Sequence, residues 1–523
     1  MTVTFIPLRS DRRLVPRWRP LKARASLKEE HPLSAGKLAP LEPVDALEMQ
    51  SSVGAWQSKR SLPHALELLT SASHLDGASD LQEAAEYVIE HADASLAAKA
   101  LAIGRYAGRR ELGEPIFDPG VAIREARARL ARDPRNAFAA LNLAHAFCAI
   151  GKKEAAKRAV DWALAVAGNN RTILRGAARF LLHVDAPERA HRLLARAPSL
   201  KHDPWLLAGE LALAEVLDRT SSHVRTAREL AVSENLAPFH RAELQAALGD
   251  MQVRRGDHKL AKKSYLVALR DPTENVVAQA QFLSATGNVS NLPVDHAMGA
   301  LREAPEARGF DALARGDWAE ACKQAHRWLQ DEPFSTRPVN LGFTAAEVGL
   351  QDMNAAYEFA EKGYQANPGK PMQHNNLAFT LAHLGVLDRA EAVFVTCRTA
   401  IARQDGEARD RAVYRATEGL LAFRRGQIDA GRQGYGDAVK YFEAHGERVR
   451  RAVALARWAD EEARAGNCEE AMGILARSLL VGQSDERTIL TLLLENIERS
   501  IGVQKARTGA PPPTGSVIVR ARG

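Results

Sequence analysis

Residues 371–404 read PMQHNNLAFTLAHLGVLDRAEAVFVTCRTAIARQ, and the order of small and large side chains in this stretch decides the fold. Leu377, Ala378 and Leu381 stand at i, i+1 and i+4, an apolar stripe along one helix. Gly385 falls where that helix must stop, because a left-handed residue there costs glycine no Cβ clash. Ala390, Phe394 and Cys397 follow at i, i+4 and i+7 on a second helix. Small residues at Ala378 and Ala390 let the two helices cross closely, and Phe394 fills the remaining volume. Neither helix buries its face alone, so neighbouring copies must complete the core.

Working outward, the same order recurs. Asn142, Leu143, Ala144, Phe147, Gly151, Ala156, Val160 and Ala163 repeat it from residue 137. The copy from 171 has Ala178, Leu181, Ala190 and Leu194, with Asp185 in place of the turn glycine. A weaker copy starts at Trp205, with Ala212 and a second helix over 224–230. Leu248, Gly249, Gly256, Ala261, Tyr265 and Ala268 make the next. A shortened copy over 276–305 turns at Gly287, and 302–333 carries Gly309, Gly316, Ala321 and Trp328. The copy from 335 has Asn340, Leu341, Gly342, Gly349, Ala356 and Ala360, with two extra residues in its turn. Beyond 404 come copies from 412 (Gly419, Gly426, Tyr435, Ala438) and 452 (Ala459, Gly466, Ala471, Leu475).

This order resembles the tetratricopeptide repeat, a helix–turn–helix unit of about 34 residues. The resemblance implies an all-α, right-handed α-solenoid of ten tandem copies over about 137–480, whose first helices line a concave groove. The remaining chain divides around it. Residues 1–60 are a basic, proline-containing arm, read as flexible or extended, and 61–136 are divergent N-terminal helical repeats. The repeats run over 137–482, a capping helix over 483–502 shields the last of them, and 503–523 is a flexible tail.

The net charge of +7 sits in the ends of the chain. Residues 1–60 carry 11 Lys/Arg against 6 Asp/Glu, and 503–523 carry four basic and no acidic residues, which leaves 61–502 at −2. Electrostatic attraction for nucleic acid therefore belongs to the arm, through Arg9, Arg12, Arg13, Arg17 and Arg19, with Trp18 as an anchor. Four cysteines far apart, Cys148, Cys322, Cys397 and Cys468, fall inside helices as small buried hydrophobes. No signal-peptide core and no long apolar run appears, so a cytoplasmic protein without a membrane span is expected.

Chemistry is harder to find. No phosphate loop, HExxH, GxSxG or metal-spaced His/Cys group is present, and no cofactor or catalytic residue is expected. Arg196 and His202 have a spacing used by some helical ribonucleases, but Pro198 breaks the helix between them. Binding is the better reading. Asn142, Asn340 and Asn376 share one groove position, where an amide either bonds its own backbone or grips the main chain of an extended peptide. His145, Phe343, Asn375, Phe379 and His383 join them on the groove side, with Arg175, Arg179, Thr417, Arg424 and Arg457 elsewhere along it. A chaperone-tail clamp, which the family resemblance would imply from a lysine and two asparagines, is not matched. Asn376 fits one asparagine, but Val339, Phe343, Val413 and Thr417 occupy the other positions.

Together these residues point to a non-catalytic scaffold or adaptor that recognises a partner peptide or helix in its concave groove. Two other readings stand beside it. One is a nucleic-acid-associated regulator using the basic arm; the other is a regulatory partner of a separately encoded enzyme such as a defence nuclease.

Overall fold

The computed structural model describes residues 14–20, 46–71, 79–94, 117–301 and 303–478, together with 98, 102, 495, 497–499 and 502–503. It contains two compact units. The smaller comprises 33–116 and 235–237 and holds the helices Ala46–Ser58, Leu62–Ser71 and Ser79–Glu90. Ala65, Leu68 and Leu69, at i, i+3 and i+4, and Ala84, Ala85 and Val88 supply its buried seam. Trp56 lies at its centre, 5.3 Å from the ring of Tyr87. Helix therefore begins at Ala46, inside the stretch that the sequence assigned to an arm.

The larger unit is a run of antiparallel helix pairs. Its first pairs are Ala137–Ala149 with Lys153–Ala167, Arg171–His183 with Pro187–Ala195, and Pro204–Val216 with Val224–Ala231. Pro238–Arg254 with His258–Ala268, Glu274–Ala285 with Val294–Ala300, and Pro305–Arg315 with Trp318–Asp331 follow. Thr336–Thr344 with Met353–Ala366, Pro371–His383 with Leu387–Arg403, Ala408–Arg424 with Ile428–Ala444, and Arg448–Arg464 with Cys468–Ser478 complete it. These make ten helical hairpins among the described residues. Among the described residues the secondary structure is helical throughout, with no strand. None of these helices is long and apolar enough to cross a membrane. Most of the expected capping helix and nearly all of the 503–523 tail lie outside the described residues.

The deciding hairpin packs as its spacing requires. Leu377, Ala378, Leu381, Ala390, Phe394 and Cys397 are all buried. Gly385 has φ +80°, the Val386 amide donates to the Leu381 carbonyl at 2.9 Å, and the Gly385 amide donates to that of Ala382 at 3.2 Å. That pair of bonds closes the helix C-terminus around a left-handed residue. Asp185 takes the same role at φ 57°, the substitution that an aspartate tolerates better than most residues.

One copy corrects its expectation. Gly349 was read as the turn glycine of the copy from 335, but the left-handed residue there is Gln351, at φ 55°. The extra residues are absorbed as a π-helical turn over Ala345–Leu350. Gly349 serves close approach instead, since a Cβ there would lie 2.2 Å from the Trp318 side chain.

Hairpins distant in sequence meet inside this unit. His145 Nε2 lies 2.8 Å from the Asp331 carbonyl, and Arg179 Nε donates to Glu332 Oε1 at 3.0 Å. A Cβ on Gly151 would fall 2.5 Å from the Gln365 carbonyl oxygen. Residues 14–20 lie in the enclosure these contacts define, with Leu14 and Trp18 belonging to the apolar core built mainly by 137–307. A second core spans 312–475.

Candidate functional site

The site is built around residues 14–20, which run as extended chain without helix or strand. Alternate side chains of an extended backbone point to opposite sides. Leu14, Pro16 and Trp18 are buried, while Val15, Arg17 and Arg19 are partly exposed, and the two sets meet different partners.

The apolar set meets helix faces opened by glycine. A Cβ on Gly176 would stand 3.1 Å from Trp18 Cδ1, and one on Gly209 would stand 3.0 Å from Pro16 Cγ. Trp18 is 2% exposed, with its ring centroid 5.1 Å from His145, 5.3 Å from Phe334 and 6.3 Å from Phe180. The contacts to His145 and Phe180 are edge-on, the arrangement that the ring quadrupoles favour.

The polar set meets the helix Glu274–Ala285 and its neighbours. Asn275 Nδ2 donates to the Val15 carbonyl at 3.0 Å, and Asn275 Oδ1 accepts from Arg17 Nε at 3.3 Å. Arg17 also donates to Glu274 at 3.1 Å and to Glu306. Arg19 is ion-paired with Glu274 and, at 3.2 Å, with Asp331. Glu306 is shared with Arg337, and Glu332 accepts from Arg179 and, at 3.2 Å, from Trp328 Nε1. Four buried wall carboxylates, Glu274, Glu306, Asp331 and Glu332, thus face two wall guanidinium groups, Arg179 and Arg337. Arg17 and Arg19 bring two further positive charges to these carboxylates.

The electrostatics follow from that balance. Burial works to raise the Glu332 carboxyl, but Arg179 and Arg17 outweigh it and hold it at about 2. Burial likewise works against the Arg17 cation, and Glu306 and Glu332 reverse the effect, so its pKa is raised. His145 is pushed down to about 4 by burial and is neutral at pH 7.

The residues singled out from sequence divide between two places. His145, Arg175 and Arg179 lie in the first core region. His145 touches Trp18, Arg179 pairs with Glu332, and Arg175 pairs with Glu243 at 2.9 Å and lies 4.9 Å over the Trp205 ring. Asn142 is half-buried and engaged by the rest of the chain. Phe343, Asn375, Asn376, Phe379, His383, Thr417, Arg424 and Arg457 lie in the second region. Arg424 makes two bonds to Glu461, at 2.7 and 2.8 Å, and its Nη2 lies 3.4 Å from His383 Nδ1. Arg457 pairs with Glu347 and lies 5.6 Å over the Phe379 ring. Phe343 and Thr417 are fully buried, Phe343 as core rather than groove surface. Asn375 and Asn376 are 0% exposed, and neither amide has a hydrogen-bond partner among the described residues; nor does Oδ1 of the half-buried Asn340.

Two corrections follow. Arg17 and Arg19, expected as phosphate contacts, spend their charge on Glu274, Glu306 and Asp331. Trp18 is packed in a core rather than carried on a solvated tail. Arg9, Arg12 and Arg13 lie outside the described residues. The amide that grips an extended main chain is Asn275, a residue the sequence reading did not select. The alternation Leu14, Pro16, Trp18 against Arg17 and Arg19 carried the signal, because a solvated arm needs no period of two.

Ten hairpins repeat the same seam and turn with left-handed residues in phase. The chain is an all-α solenoid of helical hairpins. No family model matches it, and no curated protein does. Solved structures similar to the solenoid include yeast Tom70, at 13% identity over 89% of this chain and 99% of that one, with a TM-score of 0.30. The APC/C hetero-tetramer Cut9-Hcn1 matches at 11% identity over 91% and 92%, with a TM-score of 0.31. The P58(IPK) TPR domain matches at 12% identity over 74% and 96%, with a TM-score of 0.23.

Proposed function

We propose that this solenoid is a non-catalytic scaffold or adaptor that takes an extended segment of a partner protein against the inner faces of its repeats. One observation carries the reading. The solenoid already holds residues 14–20 in that way, through a main-chain bond from Asn275, arginine–carboxylate pairs and a buried aromatic anchor. These are the elements by which a groove selects an extended peptide: an amide for the backbone, pockets for alternate side chains, and charge for register. The thiols fit a binding role, since burial pushes Cys322 and Cys397 up to about 12 and keeps them protonated at neutral pH.

Photo-crosslinking tests the proposal. A photoreactive residue placed at the half-buried Asn340 should capture a partner that one placed at the exposed Trp162 does not. Capture from Trp162 alone would move the functional surface off the inner face.

A further inference from the structure

We infer that the cleft between the helices Lys153–Ala167 and Pro187–Ala195 is a binding site for a single-chain amphiphile with a phosphate head. The inference goes beyond the scaffold reading and does not depend on it.

The cleft is built by helix periodicity. Lys157, Val160, Asp161 and Leu164 stand at i, i+3, i+4 and i+7 on the first helix, and so share one face. Arg189, Arg192, Leu193 and Arg196 repeat those intervals on the second, with Arg196 as its C-cap. The helix Arg171–His183, which lies between them in sequence, adds Leu174, Phe180 and Leu181, all buried. The space these faces leave is about 560 Å³. Sites for small ligands span roughly 300–1,000 Å³.

Its lining separates hydrocarbon from charge. Val160, Leu174, Phe180 and Leu181 are buried and Leu164 and Leu193 half-buried, whereas Lys157, Asp161, Arg189, Arg192 and Arg196 are exposed. None of the four cationic side chains has an ion pair or hydrogen bond among the described residues, and Asp161 is the one carboxylate in the lining. Four cations against one carboxylate leave three positive charges in excess. A phosphate monoester, with a charge of roughly −2, offsets most of that excess, and its oxygens accept paired bonds from guanidinium groups. The apolar side chains offer no donor or acceptor, and the helix main chain is spent on its own ladder. A peptide main chain laid against them would lose its hydrogen bonds, whereas an alkyl chain has none to lose. The charges therefore select the head, and the hydrocarbon selects the tail.

The test titrates decyl phosphate, below its micelle-forming concentration, into the full chain and follows the heat of binding. One saturable site is the expected result. Octyl phosphate should bind roughly fifteenfold more weakly, at about a factor of four in affinity for each buried methylene. Decanol, which lacks the head, and inorganic phosphate, which lacks the chain, should each bind more weakly than decyl phosphate by roughly tenfold or more. Decanoate, with the smaller charge, should fall between decanol and decyl phosphate. Arg192→Ala combined with Arg196→Ala changes two exposed positions, so the melting temperature of the chain alone should hold while decyl phosphate affinity falls by roughly tenfold. Equal affinity for the octyl and decyl compounds overturns the inference, because no hydrocarbon lining is then in use. Unchanged affinity in the double variant places the binding elsewhere and overturns it equally. So does uptake that never saturates, which is general detergent binding. Binding to vesicles containing phosphatidic acid, without binding of monomeric decyl phosphate, would make the face a lipid-surface contact and remove the single-ligand site.

Discussion

The two core regions of the solenoid use the same kinds of side chain to different ends. Around 137–334, the buried carboxylates Glu274, Glu306 and Asp331 pair with Arg17 and Arg19 of residues 14–20. Around 336–478, the polar side chains pair with one another: Arg424 with Glu461, Arg457 with Glu347 and Arg464 with Asp460. What that second region leaves over is not charge but amide, at Asn375 and Asn376. A solenoid can thus carry different buried charge pairings along successive stretches without altering its repeat. The seam residues set the architecture, and the other buried polar positions set the charge of each stretch.

Removing the anchor of the first region should break this contrast most severely. Trp18→Ala deletes a fully buried indole from a core, a change worth roughly 3–5 kcal/mol of docking. The Arg17–Trp18 bond should then be cut rapidly by trypsin while the helical circular dichroism persists. Protection equal to that of the unmodified chain would show that the segment does not depend on its anchor.

Acid should weaken the first region next. The imidazole of His145 lies at about 4, below its ordinary 6.5, so the neutral form is favoured by folding. Its stability contribution is complete above pH 6.5 and is lost as pH falls through about 4; it is on the order of 3 kcal/mol. His183, pushed to about 3 by burial and by Arg179, acts in the same direction, and Glu332 adds a loss as pH falls from 4.5 toward 2. His145→Gln should therefore lose less melting temperature between pH 7 and pH 4.5 than the unmodified chain. An identical pH dependence would remove His145 from the account.

Within the second region, Ala390→Leu should overpack the helix crossing and cost roughly 1–3 kcal/mol, seen as a lower melting temperature. An unchanged transition would argue against the tight seam. Asn375→Leu should have the smallest effect and the opposite sign. It removes an amide without a partner from a fully buried position, and gains about 1 kcal/mol of stability. A loss of stability would show that this amide serves the fold rather than a partner.

The repeat seam was legible because each copy needs the same small residues where its helices cross. Ala378, Gly385 and Ala390 could be placed from spacing alone, and Asp185 could be recognised as a turn residue without being glycine. The π-helical turn at Ala345–Leu350 was not legible, because an insertion can be absorbed in a loop or in a helix at similar cost. His145 and Arg179 stand out in the sequence, but their contacts with Trp18, Asp331 and Glu332 do not, because those residues lie far away in sequence and meet them only through the path of the solenoid. Asn275 was missed because its copy is degenerate. Residues 14–20 were misread because a basic, proline-bearing stretch has the composition of a solvated arm, and composition does not reveal a compensating acidic wall.

Amide hydrogen exchange across residues 14–20 tests the central claim most directly. Docked in the enclosure, the amides of Arg17, Trp18 and Arg19 should exchange far more slowly than in a free peptide, and Glu306→Gln should accelerate them. Exchange at the free-peptide rate in the unmodified chain would contradict the claim that the solenoid holds this segment as a ligand.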